Sequence, residues 1–233
     1  MKILKKYLLG LLLCLSIIMI VGCSKQQVKE IKKENQKVET SKKEVFKPQF
    51  TKSSIPDEVY KNMIGKSIPK KDLVDINSLS YLKITYYGFD NKEHIGEMIV
   101  NKEVASEVLD IFKELYENKY PIEKMNLIDK YNADDDQSMK DNNTSAFCYR
   151  VIEGSDVISN HSKGLAIDIN PLINPMVKNG IVSPNEGNKY IDREKNVKGM
   201  IKKGDACYEA FIKRGWTWGG DWKSLKDYQH FEK

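Results

Sequence analysis

Ten residues, Ser159 to Asp168 (SNHSKGLAID), join a histidine to a carboxylate seven positions on, and they hold one of only three histidines in the chain. An imidazole and a carboxylate brought together can ligate a metal ion. From Leu165 the residues alternate, with Leu165, Ile167 and Ile169 on one side and Ala166, Asp168 and Asn170 on the other. A strand of that period buries the aliphatic side chains and turns Asp168 toward an open face. Gly164 allows a tight bend just before it. The closing DYQHFE supplies a third donor, His230, and a further carboxylate, Asp227, three residues earlier. Catalytic zinc takes three N and O ligands and keeps a position for water, a description that His161, Asp168 and His230 meet. Zinc lowers the pKa of its water toward ~7 and polarises a carbonyl, so peptide hydrolysis becomes possible. A nearby carboxylate must then take the water's proton and pass it to the leaving amine, and Asp227 is the candidate. Residues three apart in a regular strand face opposite sides. Asp227 must therefore lie on a turn, or the strand must start after it. On residue types alone, a hydrogen-bonded structural His–Asp pair competes with the metal reading. His94, alone in a hairpin pattern, reads as structural or peripheral.

The elements that must position these groups are short. A helix is expected around Asp57 to Ile64. Tyr81 to Gly88 and His94 to Val100 read as strands about an Asp90-Asn91 turn. Asn101 is a candidate cap for a helix in which Val104, Val108, Ile111, Phe112 and Leu115 form an apolar stripe. Lys124 to Ile128 and Cys148 to Ile152 read as further strands. Asp134-Asp135-Asp136 lacks the alternating ligands, central Gly and distant Glu of a calcium loop, so a solvated loop or helix cap is the reading. After Asp168 comes a long loop with Gly180, Pro184, Gly187 and Gly199, a length typical of functional walls. Asp205 caps a helix that Gly215 ends. Few strands, segregated helices and no regular βαβ alternation indicate an α+β domain.

The N-terminal segments differ in kind. Residues 1–22 read as an export signal: Lys2, Lys5 and Lys6, then an apolar run from Tyr7 to Val21. Ile20-Val21-Gly22-Cys23 matches a lipoprotein lipobox, which makes Cys23 the expected lipidation site and places the rest outside the cytoplasm, anchored to the cell membrane. An uncut membrane anchor is the alternative, but the apolar run is short for a span of ~20 residues. Residues 23–47 are rich in Lys, Glu and Gln and read as a flexible tether, leaving 48–233 as the folded domain. The formal charge of the chain is +5. The signal carries three of those positive charges and the tether a net four, which leaves about −2 for 48–233. Nucleic acid is thus not an expected partner of the domain. Cys148 and Cys207 remain in the domain, and their pairing is open.

SNHSKGLAID fits the S-x-H-x-x-G-x-A-x-D signature of the VanY-type zinc D-alanyl-D-alanine carboxypeptidases, a family that includes phage L-alanyl-D-glutamate endopeptidases. WGGDWKSLKDYQHFE resembles that family's second motif, in which a carboxylate precedes the last histidine ligand by three. The similarity extends from about Tyr87, through NNTSAFCYR and DINPLINP, to the C-terminus. The resemblance implies a small α+β domain of the Hedgehog/DD-peptidase-like type, with an antiparallel sheet bearing the metal. It implies Zn2+ on His161, Asp168 and His230, and Asp227 as catalytic base. It further aligns Arg150 with an arginine that steadies the scissile carbonyl oxyanion. Ser155 and Ser159 are expected to line the site. The implied substrate is a peptidoglycan stem peptide, cut as a carboxypeptidase. The alternatives are an L-alanyl-D-glutamate endopeptidase and a non-catalytic zinc-containing muropeptide-binding lipoprotein.

Overall fold

Alternation of large apolar residues makes the two longest strands, β2 (Leu79–Gly88) and β3 (Glu93–Asn101), which pair antiparallel from Leu79↔Asn101 to Tyr87↔Glu93. The protein is described by a computed structural model that defines residues 46–152 and 155–233. The signal segment, Cys23 and nearly all of the tether lie outside the described residues. Before the hairpin come β1 (Phe50–Ser53) and helix α1 (Asp57–Met63), and β1 pairs antiparallel with β2. After it come α2 (Ala105–Glu117) and β4 (Pro121–Ile122), the latter parallel to β2. Both faces of this sheet are covered. Leu82, Ile84, Met98 and Val100 pack with Val108, Ile111, Phe112 and Leu115 of α2, while Tyr81 and Ile99 pack with Met63, Ile68 and Phe147.

The second half carries α3 (Asp135–Lys140), β5 (Ala166–Asp168), β6 (Met176–Lys178), β7 (Ile181–Ser183) and α4 (Ala206–Ile212). It closes with β8 (Thr217–Trp218), β9 (Lys226–Asp227) and β10 (His230–Glu232). Two three-stranded antiparallel sheets result, ordered β5-β10-β8 and β7-β6-β9. The fold is α+β. One hydrophobic cluster runs from α2 through Ile167, Ile169 and Phe231 to Phe211 of α4, so both halves share a core. Phe231 is fully buried and stacks on Phe211 with ring centroids 4.0 Å apart.

Four local expectations change. Lys124 to Ile128 is not a strand: the Asn143 side chain accepts from Asn126 N–H at 2.8 Å and donates to its carbonyl, taking the place of a ladder partner. Cys148 to Ile152 is extended without joining a sheet. The N–H groups of Tyr149 and Arg150 go to the Ser67 carbonyl and the Ser162 hydroxyl, and only Val151 bridges, to Ile158. Asn101 closes the turn before α2 by accepting from Glu103 N–H, and Val104 occupies the cap position. The long loop after Asp168 holds the β6–β7 hairpin, which gives β9 its partner. Arg193 braces this region, donating to Asn174 Oδ1 at 2.7 Å and to the Ile173 and Ile201 carbonyls, with its guanidinium 4.4 Å from the Tyr228 ring centre. Cys148 and Cys207 are both free, buried thiols.

Candidate metal centre

Strand register brings the candidate donors together. In the antiparallel pair β5–β10, His230 stands directly opposite Asp168, so both side chains leave the same face. His161 comes from a 3₁₀ turn, Asn160–Lys163, whose cap is Ser159: its hydroxyl accepts from His161 N–H at 3.2 Å. Gly164 ends that turn at φ 67°, and a Cβ there would lie 2.4 Å from Asn101 N. No side chain fits, and the close approach docks the turn against the end of β3 through Asn101 N–H to Gly164 O at 2.8 Å. A bend at Gly164 was legible in the sequence; its docking role was not.

His161 Nε2 lies 3.2 Å from Asp168 Oδ2 and 3.2 Å from His230 Nδ1, and His230 Nδ1 lies 3.0 Å from Asp168 Oδ1. All three residues are buried, and one donor atom of each lies within 4.8 Å of the others. Asp168 does not reach an open face: it is 5% exposed, with the buried His161 and His230 rings against its carboxylate.

The outer contacts decide which lone pairs converge. His161 Nδ1 lies 2.6 Å from the Ala146 carbonyl, which can only accept, so Nδ1 carries the proton and Nε2 faces inward as a base. His230 Nε2 lies 3.2 Å from Glu232 Oε2, again an acceptor, so Nδ1 presents its lone pair. Two imidazole lone pairs and a carboxylate then share one buried space, an arrangement that demands a cation or a proton. The charge distribution agrees. Burial alone would lower the His230 pKa, but the Asp168 and Glu232 carboxylates outweigh it and push it up to about 10. Burial would raise Asp168, yet His161 and His230 hold it well below the usual carboxylate range. An N,N,O donor set with each tautomer fixed from outside fits a tetrahedral metal ion with one open position.

Asp227 sits at the end of β9, and the chain turns through Tyr228 and Gln229 before β10 begins at His230. The regular-strand objection is met by this break. A Cβ on Gly219 would lie 2.6 Å from the Asp227 carbonyl oxygen, so that glycine lets β9 approach. Asp227 Oδ1 is buried without a hydrogen-bond partner. Burial pushes its pKa up to about 7, with His230 opposing and Asp168 adding to the rise.

Arg150 is clipped to the His161 turn through its backbone. The Ser162 hydroxyl accepts from Arg150 N–H at 2.7 Å and donates to its carbonyl at 2.8 Å. Its guanidinium pairs with Asp135 at 3.1 Å, close enough to Asp168 to feel its charge. Ser155 is exposed and its hydroxyl donates to the Ile152 carbonyl within a turn, so it acts locally. Ser159 acts through the backbone of His161. His94 stays apart, stacked on Tyr86 and 2.8 Å from Asp90.

Sequence reasoning missed Glu232, although its spacing from His230 puts both on one face of a strand. Asn160 Nδ2 donates to the same Glu232 oxygen at 2.8 Å, which ties the His161 turn to β10. Glu232→Ala should weaken binding of a divalent metal by ~10–100-fold, as such outer partners do. Competition with a chromophoric chelator measures this, and an unchanged affinity would make the contact incidental.

Residues 153–233 match the family model of the D-alanyl-D-alanine carboxypeptidases, M15 peptidases. The match covers roughly a third of the chain and includes His161, Asp168, Asp227 and His230, with Arg150 just before it. It supports an M15-type peptidase and does not reach the VanY type. Neither the curated proteins nor the solved structures contain a match.

Proposed function

We propose that the protein is a membrane-tethered zinc metallopeptidase that hydrolyses peptidoglycan stem peptides as a D-alanyl-D-alanine carboxypeptidase. The observation that carries the reading is the meeting of three inward lone pairs, two with outer partners that fix their tautomers, with the Asp227 carboxylate, one oxygen of which is buried without a partner, just ahead of β10 in the chain. The family match over 153–233 and the two sequence motifs support the substrate class. The lipobox ending at Cys23 supports the tether. His161, Asp168 and His230 would hold the ion, which when bound supplies a Lewis acid and an activated water. Asp227, raised toward neutrality, takes a proton from the attacking water and returns it to the leaving amine. Arg150 offers N–H donors to the oxygen on which negative charge develops.

Purified protein should release one terminal alanine from muropeptides ending in D-Ala-D-Ala. Chelation should stop release and zinc should restore it. Mass spectrometry reads the products. Cleavage between L-Ala and D-Glu would replace the carboxypeptidase by the endopeptidase, and turnover indifferent to chelation would remove the metal from the reading.

A further inference from the structure

We infer that Asp135, from the acidic stretch that reads as a solvated loop or cap, is a positioning residue that holds the Arg150 guanidinium at the catalytic site. The inference rests on the proposed hydrolysis and extends it to a residue outside the matched segment. Asp135 Oδ2 lies 3.1 Å from Arg150 Nη2, and the side chains are 33% and 30% exposed. Among the described residues no other carboxylate is paired with Arg150. The Arg150 side chain keeps 30% of its surface exposed beside the pair. One nitrogen of the fork is thus tied to a carboxylate, and the exposed part of the group is open to a substrate oxygen.

The support under Asp135 is rigid. Asp134 caps α3 by accepting from Gln137 N–H at 3.0 Å. Ser138 is buried, its hydroxyl accepting from Asn143 Nδ2 at 3.0 Å, and Asn143 N–H donates to the Ser138 carbonyl. At the other end Met139 Sδ lies 3.5 Å from Gln229 Nε2, in the turn between Asp227 and His230. Helix α3 therefore touches both the arginine and the turn that carries base and ligand. A partly exposed single pair of this kind contributes little to stability. A long arginine side chain left untied is spread over many rotamers, only some of which aim at a reacting oxygen. Small misplacements of catalytic groups are costly in rate.

The test compares zinc-loaded full-length protein with Asp135→Asn, Asp135→Glu, Arg150→Lys and the Asp135→Asn/Arg150→Lys double variant, on a muropeptide ending in D-Ala-D-Ala. Asp135→Asn should lower kcat by ~10-fold with KM nearly unchanged, and Asp135→Glu should recover part of the loss. The double variant should be no slower than Arg150→Lys alone, because both changes act on one group. Thermal midpoints should stay within a few degrees of wild type. Unchanged kcat in Asp135→Asn, or losses that multiply in the double variant, would overturn the inference while leaving the hydrolysis intact. A wild-type protein without turnover would remove the proposed function and this role together.

Discussion

Asp227→Asn is expected to slow hydrolysis by ~10²–10⁴-fold and, in the metal-free protein, to raise the thermal midpoint. The two effects share one cause. Asp227 Oδ1 is buried and accepts no hydrogen bond, which suits a base waiting for a water proton and costs the fold about 1–3 kcal/mol. The sign follows from linkage. Burial raises the folded-state pKa from 3.8 to about 7, so the folded state binds the proton more tightly than the unfolded chain does. Stability contributed by the protonated group is present below pH ~4 and is lost as pH rises toward about 7. Asparagine carries no charge at any pH. The difference in midpoint between variant and wild type should therefore be near zero at pH 4, grow to pH 7 and then level off. Calorimetry across that range, paired with product release at pH 7.5, checks both halves. A destabilised but active variant would show that Asp227 packs rather than reacts.

Phe231→Ala is expected to cost about 3–5 kcal/mol, a large part of the roughly 5–15 kcal/mol that holds a domain together. The side chain has no solvent exposure, stacks on Phe211 and lies over Trp218 with centroids 6.4 Å apart. It is also flanked by His230 and Glu232, and its backbone pairs with Ile167 and Trp218. Losing the anchor should loosen β10 and take metal affinity down with stability. His230→Ala separates the two, since it should abolish metal binding while keeping most of the stability. Urea unfolding of both variants with metal titration reads the distinction. A Phe231→Ala protein of wild-type stability would mean that the last strand is not part of the core.

The site was readable to different depths at different residues. His161, Asp168, His230 and Asp227 stand out by residue type, because few side chains ligate metals or move protons and only three histidines occur. Glu232 could have been found from strand period alone. Asp135 could not, since nothing in an acidic triplet says that one carboxylate meets an arginine fifteen residues on. Among the elements, the β2–β3 hairpin and the α2 stripe were legible because their patterns are long and local. Lys124–Ile128 and Cys148–Ile152 have strand-like composition, but side-chain and turn groups satisfy their backbones, and those partners are distant in sequence.

Residue types and local pattern suffice for the chemistry on offer: an N,N,O donor set, a spare carboxylate and an α+β pattern of short elements. That the donors meet is a product of long-range pairing. The β5–β10 register places His230 opposite Asp168, where a slip of one residue would send His230 to the other face. The break after Asp227 and the outer contacts of Ala146 and Glu232 then set which lone pairs face inward. Those choices depend on pairing across more than sixty residues, which local periodicity does not encode.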